Sequence, residues 1–260
     1  ATSALDLLLS ASLRPSLSES HVDACSFSLR RALIAARKNR KMPAKTDVKF
    51  PGYMSLDEIE EVLFTEADLK ARVLEMGAEI SKTYGPLDKP LVVICTLKGA
   101  TTFFADLIRA LDMDHIWEFM SFSSYGMGTT SSGAVQLVLD LKMDVTGRHI
   151  LIVEDILDTG NTLKYMLKQL AARDPASIKT AVLLHKHEMT IPGLEAEFVG
   201  FRIPNKFVVG YGLDYAQKYR GLPWIGVVAP WVYTKGKESG ADRADGSIAK
   251  GDVSSSSLSQ

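Results

Sequence analysis

In the middle of the chain, apolar residues recur in two rhythms, one at helical spacing and one in short unbroken runs, and their alternation predicts an α/β fold. Thr65 can cap a helix with Asp68 three residues on, and Leu69, Val73, Met76 and Ile80 then keep to one helical face. Leu91 to Cys95 is a near-continuous apolar run, as expected of a strand covered on both sides, and Phe103, Phe104, Leu107, Ile108 and Leu111 stripe the helix after it. The same unit of strand, tight turn and helix returns at Ile150 to Val153. There the run ends in acids and a glycine-containing turn, before a helix whose Leu163, Met166, Leu167 and Leu170 share a face. Two such units imply a mainly parallel, twisted sheet flanked by helices. Ala134 to Leu141 alternates like a half-exposed strand, and Ser121 to Gly133, rich in Ser, Thr and Gly, reads as a mobile loop. Further strands are expected at Ile178 to Leu184, Phe207 to Tyr211 and Ile225 to Val228.

The ends have a different character. Residues 1–50 are rich in Ser, Ala, Leu and Arg, with a basic cluster at Arg37, Lys38, Arg40 and Lys41, and read either as a targeting segment or as a poorly ordered extension. Residues 235–260 are polar, with a serine run, and too poor in apolar surface to offset the entropy of ordering, so a disordered tail is expected. The domain is placed at 51–234.

Composition narrows the function. With 260 residues and 46% hydrophobic content the chain can bury one sizeable core. A net charge of -1 gives no general attraction to nucleic acid or to a membrane, so neither is expected as a partner and a small molecule is. Cys25 and Cys95 suggest no disulfide framework or metal cluster, which fits a reducing compartment. No apolar run approaches the roughly 20 residues that span a bilayer, so a soluble protein is expected.

The chemistry concentrates in Ile150 to Thr162, ILIVEDILDTGNT. A phosphate at the start of the following helix would meet unpaired amides and the positive end of the helix dipole. Gly160 lets the backbone approach closely, and the threonine hydroxyls add donors. Glu154 and Asp155 are poor phosphate ligands but good acceptors for two adjacent hydroxyls, which a ribose displays. Phosphate beside ribose suggests a 5-phosphoribosyl group. A strand ending in Glu-Asp could also serve a nucleotide hydrolase, but the chain holds no G-x-x-x-x-G-K-[ST] segment. A purely structural turn would leave three carboxylates crowded within five positions unexplained.

VEDILDTGNT resembles the phosphoribosyl-pyrophosphate signature of the type I phosphoribosyltransferases, in particular the hypoxanthine-guanine group, and the likeness runs from about Phe64 to Val228. The resemblance implies a type I phosphoribosyltransferase fold with a small hood formed by the later segments. It implies an enzyme of purine salvage that moves the 5-phosphoribosyl group of phosphoribosyl pyrophosphate to a 6-oxopurine, giving IMP or GMP and pyrophosphate. By the same resemblance, Glu154 and Asp155 hold the ribose hydroxyls, Asp158 to Thr162 wrap the 5-phosphate through Thr159, Gly160 and Asn161, and Asp158 acts on the purine ring nitrogen. Leu97, Lys98 and Gly99 form the pyrophosphate loop, in which a cis peptide before Lys98 is expected, and Arg220 grips the pyrophosphate. Ser124 and Tyr125 belong to a closing lid. Lys186 donates to the 6-oxo group, Phe207 stacks on the purine, and Val208 and Asp214 read its opposite edge through backbone groups. Magnesium is the implied cofactor, contacted by Asp214, Glu154 and Asp155.

Taken singly, several of these have plainer readings. Leu97 to Gly99 could be an ordinary strand-to-helix turn, Ser124 and Tyr125 a polar surface loop, Phe207 core, and Asp214 with Arg220 a surface ion pair. His185 and His187 flank Lys186 at a spacing that suits two metal ligands, but with no Cys or third His nearby they read as nonmetal residues. Asn161 departs from the family, where a lysine is common. Two rival functions remain: a xanthine-preferring enzyme of the same group, and a regulator that senses phosphoribosyl pyrophosphate, which Asp158, Lys186 and Phe207 argue against. The group's usual homodimer or homotetramer is expected, in the cytoplasm, or in an organelle if residues 1–50 are a transit peptide.

Overall fold

The computed structural model describes residues 56–124 and 135–238. The chain divides into two compact units, and all of these residues belong to the second, Lys49–Gln260. The expectations for residues 1–50 and for the tail beyond 238 lie outside the described residues.

Helix α1 (Glu66–Tyr84) opens with the capping box expected of Thr65 and Asp68. The Asp68 N–H donates to Thr65 Oγ1 at 3.2 Å and the Thr65 N–H to Asp68 Oδ2 at 3.1 Å. Leu69, Val73, Met76 and Ile80 are buried along one face. Strands β1 (Ile59–Phe64), β2 (Leu91–Leu97), β3 (His115–Ser124), β4 (Val135–Leu139), β5 (His149–Leu157), β6 (Ser177–His185), β7 (Phe198–Arg202), β8 (Val208–Val209) and β9 (Ile225–Val228) form two sheets. The larger has the order β4-β3-β2-β5-β6-β7. All its pairs are parallel except β3 with β4. The period of two along a strand sends alternate residues to opposite faces, so the apolar runs of β2 and β5 feed two cores. Leu91, Val93 and Cys95 of β2 and Leu151 and Val153 of β5 join one core, with α1 and α2 (Thr101–Ala110). Val92, Ile94, Ile150 and Ile152 join the opposite core, with Leu163, Met166 and Leu170 of α3 (Asn161–Ala171).

The smaller sheet, β1-β9-β8, is antiparallel and forms the hood. Its Val208, Tyr211, Leu213, Ile225 and Val227 share the first core. Ile59, Val209 and Val228 lie in a separate cluster with Val232 and Tyr233 of α4 (Pro230–Glu238) packed against it.

Several boundaries need correction. The hood is not made of later segments alone, because β1 precedes α1 and pairs with β9. Ser121 to Ser124 belong to β3, paired with β4, rather than to a loop. The strand expected at Ala134 to Leu141 stops at Leu139, and the one at Phe207 to Tyr211 shrinks to two residues before a tight turn that bridges Gly210 and Leu213. Helix α4 runs to Glu238, past the boundary set at 234. No helix among the described residues is long and apolar enough to cross a membrane.

Helices α1 and α2 approach closely at Gly77, where an added Cβ would lie 2.4 Å from the Ala110 carbonyl oxygen. Gly77→Ala is therefore expected to destabilise the protein by about 1–3 kcal/mol, although alanine is favoured over glycine in a helix by about 1 kcal/mol. The urea midpoint checks the sign, and a rise would show that the helices part freely.

Candidate active site

Because β2, β5 and β6 are parallel neighbours, their carboxyl ends fall on one edge of the sheet. Three short segments leave that edge together: Lys98 to Ala100 after β2, Asp158 to Gly160 after β5, and Lys186 after β6.

The Leu97–Lys98 peptide is cis, as expected. Thr101 holds the Lys98 carbonyl through its hydroxyl at 2.7 Å and its amide at 3.2 Å. A Cβ on Gly99 would fall 1.6 Å from Asp155 Oδ2, so only glycine lets this loop lie against the carboxylate. Gly212 of the hood, at φ +103°, meets the same loop, with the position of its missing Cβ 2.1 Å from the Gly99 carbonyl oxygen.

At the end of β5, Gly160 takes φ +88° at the cap of α3, and no side chain caps that helix. The first amides of α3 thus have no side-chain cap, an arrangement that can receive an anion. Thr159 and Asn161 are exposed at its mouth. Glu154 and Asp155 lie within β5, which continues to Leu157 rather than ending at Val153. Glu154 lines a cavity of about 230 Å³ with Thr96, Leu97, Phe122, Ser123, Val135 and Thr162. Glu154 Oε2 and Thr96 Oγ1 are buried there without a hydrogen-bond partner among the described residues. Burial, then the adjacent Asp155 charge, pushes the Glu154 carboxyl well above the usual carboxylate range. Burial also raises Asp155, against hydrogen bonds that include the Ile156 amide and against the nearby Arg220 charge.

Lys186 and Asp158 form an ion pair, Nζ to Oδ2 2.9 Å. Lys186 is one-tenth exposed and Asp158 44% exposed, so the lysine is walled in while the acid faces an incoming ligand. In the hood, Arg220 donates to the Gly212 carbonyl at 2.8 Å and pairs with Asp214 at 2.7 Å, and Asp214 also accepts from the Gln217 amide at 2.8 Å. Asp214 and Arg220 are therefore partners of each other as well as candidates for a ligand. Phe207 is 39% exposed, stacked on Tyr233 (centroids 5.6 Å, 26°) with the edge of Tyr215 beside it (5.4 Å, 89°). Val208 is buried in β8 opposite Val227. Ser124 is the last residue of β3, and Tyr125 lies outside the described residues.

The fold thus gathers Lys98, Gly99, Glu154, Asp155, Asp158, Gly160 and Lys186 at one sheet edge, with Arg220 brought in by the hood. Sequence reasoning passed over Thr96, whose only signal is a hydroxyl at the end of an apolar strand. It also passed over Tyr233, in a helix the pattern did not predict.

The family described as phosphoribosyl transferase domain matches residues 66–216. The hypoxanthine-guanine phosphoribosyltransferase of Mycobacterium bovis is 43% identical over 195 residues, 74% of this chain and 94% of that protein. The Bacillus subtilis enzyme of the same name is 47% identical over 180 residues, 69% of this chain and 99% of its own. Among solved structures, a hypoxanthine phosphoribosyltransferase from Staphylococcus aureus has TM-score 0.64 and 44% identity, covering 68% of this chain and 95% of that one. The Trypanosoma cruzi enzyme in complex with the product IMP has the same score and identity, covering 69% and 100%.

The raised carboxyls make a prediction about the free protein. A folded state that holds a proton the unfolded chain releases loses stability as pH rises from the ordinary glutamate range towards the elevated folded value. In chelator, Glu154→Gln should therefore be more stable than wild type at pH 7, with the gain vanishing by about pH 3, where both states are protonated. Thermal melts across this range check it, and a variant less stable at pH 7 would contradict it.

Proposed function

The chain belongs to the phosphoribosyltransferase family, in its hypoxanthine-guanine group, and from that premise we propose how its own residues carry out the transfer. The enzyme is a pentosyl transferase of purine salvage: phosphoribosyl pyrophosphate and hypoxanthine or guanine give IMP or GMP and pyrophosphate.

One observation carries the assignment of roles, the Lys186–Asp158 pair at 2.9 Å. A 6-oxopurine protonated on its imidazole ring presents, side by side, an oxygen that accepts and a ring N–H that donates. The ammonium has three hydrogens and keeps one or more for that oxygen while holding Asp158, and the carboxylate accepts the N–H. Adenine sets an amino donor against the ammonium, and the mismatch selects against it.

In the reaction, the second imidazole nitrogen forms a bond to C1′ of the ribose as the bond from C1′ to pyrophosphate breaks. The imidazole proton passes to Asp158, which makes the attacking nitrogen electron-rich, and the electron pair of the broken bond leaves with pyrophosphate. The Asp158 carboxylate also favours the positive charge that develops on the sugar. The amides of Thr159 to Thr162 take the 5-phosphate, Glu154 and Asp155 the ribose hydroxyls, and Lys98, Gly99 and Arg220 the leaving pyrophosphate. Phe207 offers the purine a ring face, with Val208 and Asp214 backbone groups at the far edge, and Ser124 and Tyr125 close over the site against water.

The donor set fits magnesium. Glu154 keeps an unpartnered buried oxygen, and burial with the adjacent Asp155 charge raises its carboxyl, so a cation placed there would favour the ionised pair. Among the described residues no three His, Cys, Asp or Glu side chains gather as a metal cage. With no such cage among those residues, magnesium, which prefers oxygen and keeps its waters, would draw on Glu154, Asp155 or Asp214 only with the diphosphate supplying further oxygens, and would neutralise the diphosphate charge. A homo-oligomer working in a reducing, cytoplasmic compartment belongs to the same reading, in which Cys95 stays a free buried thiol whose burial pushes its pKa up to about 12.

With phosphoribosyl pyrophosphate and magnesium, hypoxanthine and guanine should be consumed and adenine not. Asp158→Asn should lower kcat by about 10²–10⁴-fold with a much smaller change in KM for phosphoribosyl pyrophosphate. Lys186→Gln should narrow the gap between hypoxanthine and adenine. Steady-state rates on each base measure all three, and an undiminished Asp158→Asn rate would remove that residue from its role.

A further inference from the structure

The imidazole of His185, next in the chain to Lys186, is buried, and the transfer just described makes no use of it. Its surroundings fix its proton. Arg202 Nη1 lies 3.1 Å from His185 Nδ1. A guanidinium has only donors to offer, so Nδ1 accepts, and in the neutral ring the hydrogen sits on Nε2. Burial, then the Arg202 charge, holds the imidazole below its ordinary pKa and so keeps it neutral.

Nε2 faces Thr190 Oγ1 at 3.2 Å. With its lone pair engaged by that N–H, the hydroxyl directs its one hydrogen to the carbonyl oxygens of Asp158, at 2.8 Å, and Lys186, at 3.1 Å. A single hydroxyl thus bridges the main chains of both members of the ion pair. Neighbouring contacts hold the same seam. The Ile191 amide donates to the Thr159 carbonyl at 3.1 Å, and the Lys186 amide to the Leu157 carbonyl at 2.9 Å.

We propose that Thr190 is a positioning residue that clamps the backbones of Asp158 and Lys186 at the spacing of the purine edge, with its hydroxyl oriented by the Nε2–H tautomer of His185, which Arg202 selects. The inference rests on the placement of Asp158 and Lys186 at that edge. The clamp joins residues 32 apart in sequence. Without it the phosphate turn keeps its bond from Ile191, while the Asp158 carbonyl loses its side-chain partner. Chemistry should suffer more than binding of the sugar phosphate.

The test compares wild type, Thr190→Val, Thr190→Ser and Asp158→Asn in the forward reaction, with rates normalised to the folded fraction from circular dichroism. Thr190→Val, which keeps the shape and removes the hydroxyl, should lower kcat about tenfold while KM for phosphoribosyl pyrophosphate moves less than about threefold. Thr190→Ser should restore kcat to within about twofold of wild type. Nitrogen-15 NMR of histidine-labelled wild type, with the His185 signals assigned from a His185→Gln sample, should show a protonated Nε2 and an unprotonated Nδ1. A proton on Nδ1 would overturn the clamp whatever the kinetics show. So would wild-type turnover in Thr190→Val alongside an impaired Asp158→Asn. An unimpaired Asp158→Asn would overturn the reading of the active site itself, and this inference with it.

Discussion

Glu154 and Asp155 lie half-buried side by side near the end of an inner strand, and much of the site follows from how costly it is to ionise both there. Burial raises both Glu154 and Asp155, and one Glu154 oxygen has no partner among the described residues. On the proposed function, the hydroxyls of a substrate and a divalent cation would relieve this cost. The surrounding backbone is shaped to bring such a ligand in. Gly99 lies against Asp155 where no side chain would fit, and Gly160 turns the chain so that uncapped amides open beside it.

The second constraint is the seam between hood and sheet. Gly212 meets the Gly99 carbonyl, Arg220 holds the Gly212 carbonyl, and the Tyr211 hydroxyl bonds Asp106 on α2, the helix that follows the Lys98 to Ala100 loop. These contacts tie the segment carrying Asp214 and Arg220 to the loop carrying Lys98. Asp214, Arg220 and Lys98 are therefore set relative to one another by backbone approach, which tolerates little change in side-chain size.

What could be read from the amino acids follows the same physics. Strands β2, β5 and β6 are apolar at consecutive positions because each is covered on both faces, so their runs were visible. VEDILDTGNT was visible because its chemistry is contiguous. Strand β3 gave no such signal, since Trp117 and Phe119 on one side are exposed while Met120 is buried. The short apolar pattern of β7 is interrupted at Gly200, where an added Cβ would lie 2.4 Å from the Leu183 carbonyl oxygen. Strand β1 carries Glu60 and Glu61, and its reason to be a strand is its partner β9 far along the chain. Thr96 and Thr190 were hidden for a related reason. Thr96 meets Glu154 through the pairing of β2 with β5, and Thr190 meets Asp158 through that of β5 with β6, and neither register is written in local spacing.

In the proposed function, the turn after β5 holds a sugar phosphate by its main chain while Glu154 and Asp155 hold the sugar. A crystal structure with bound IMP tests this most directly. The phosphate is expected within hydrogen-bond distance of the amides of Thr159 to Thr162, with the ribose hydroxyls on the two carboxylates. A phosphate bound elsewhere, with that turn empty, would contradict it.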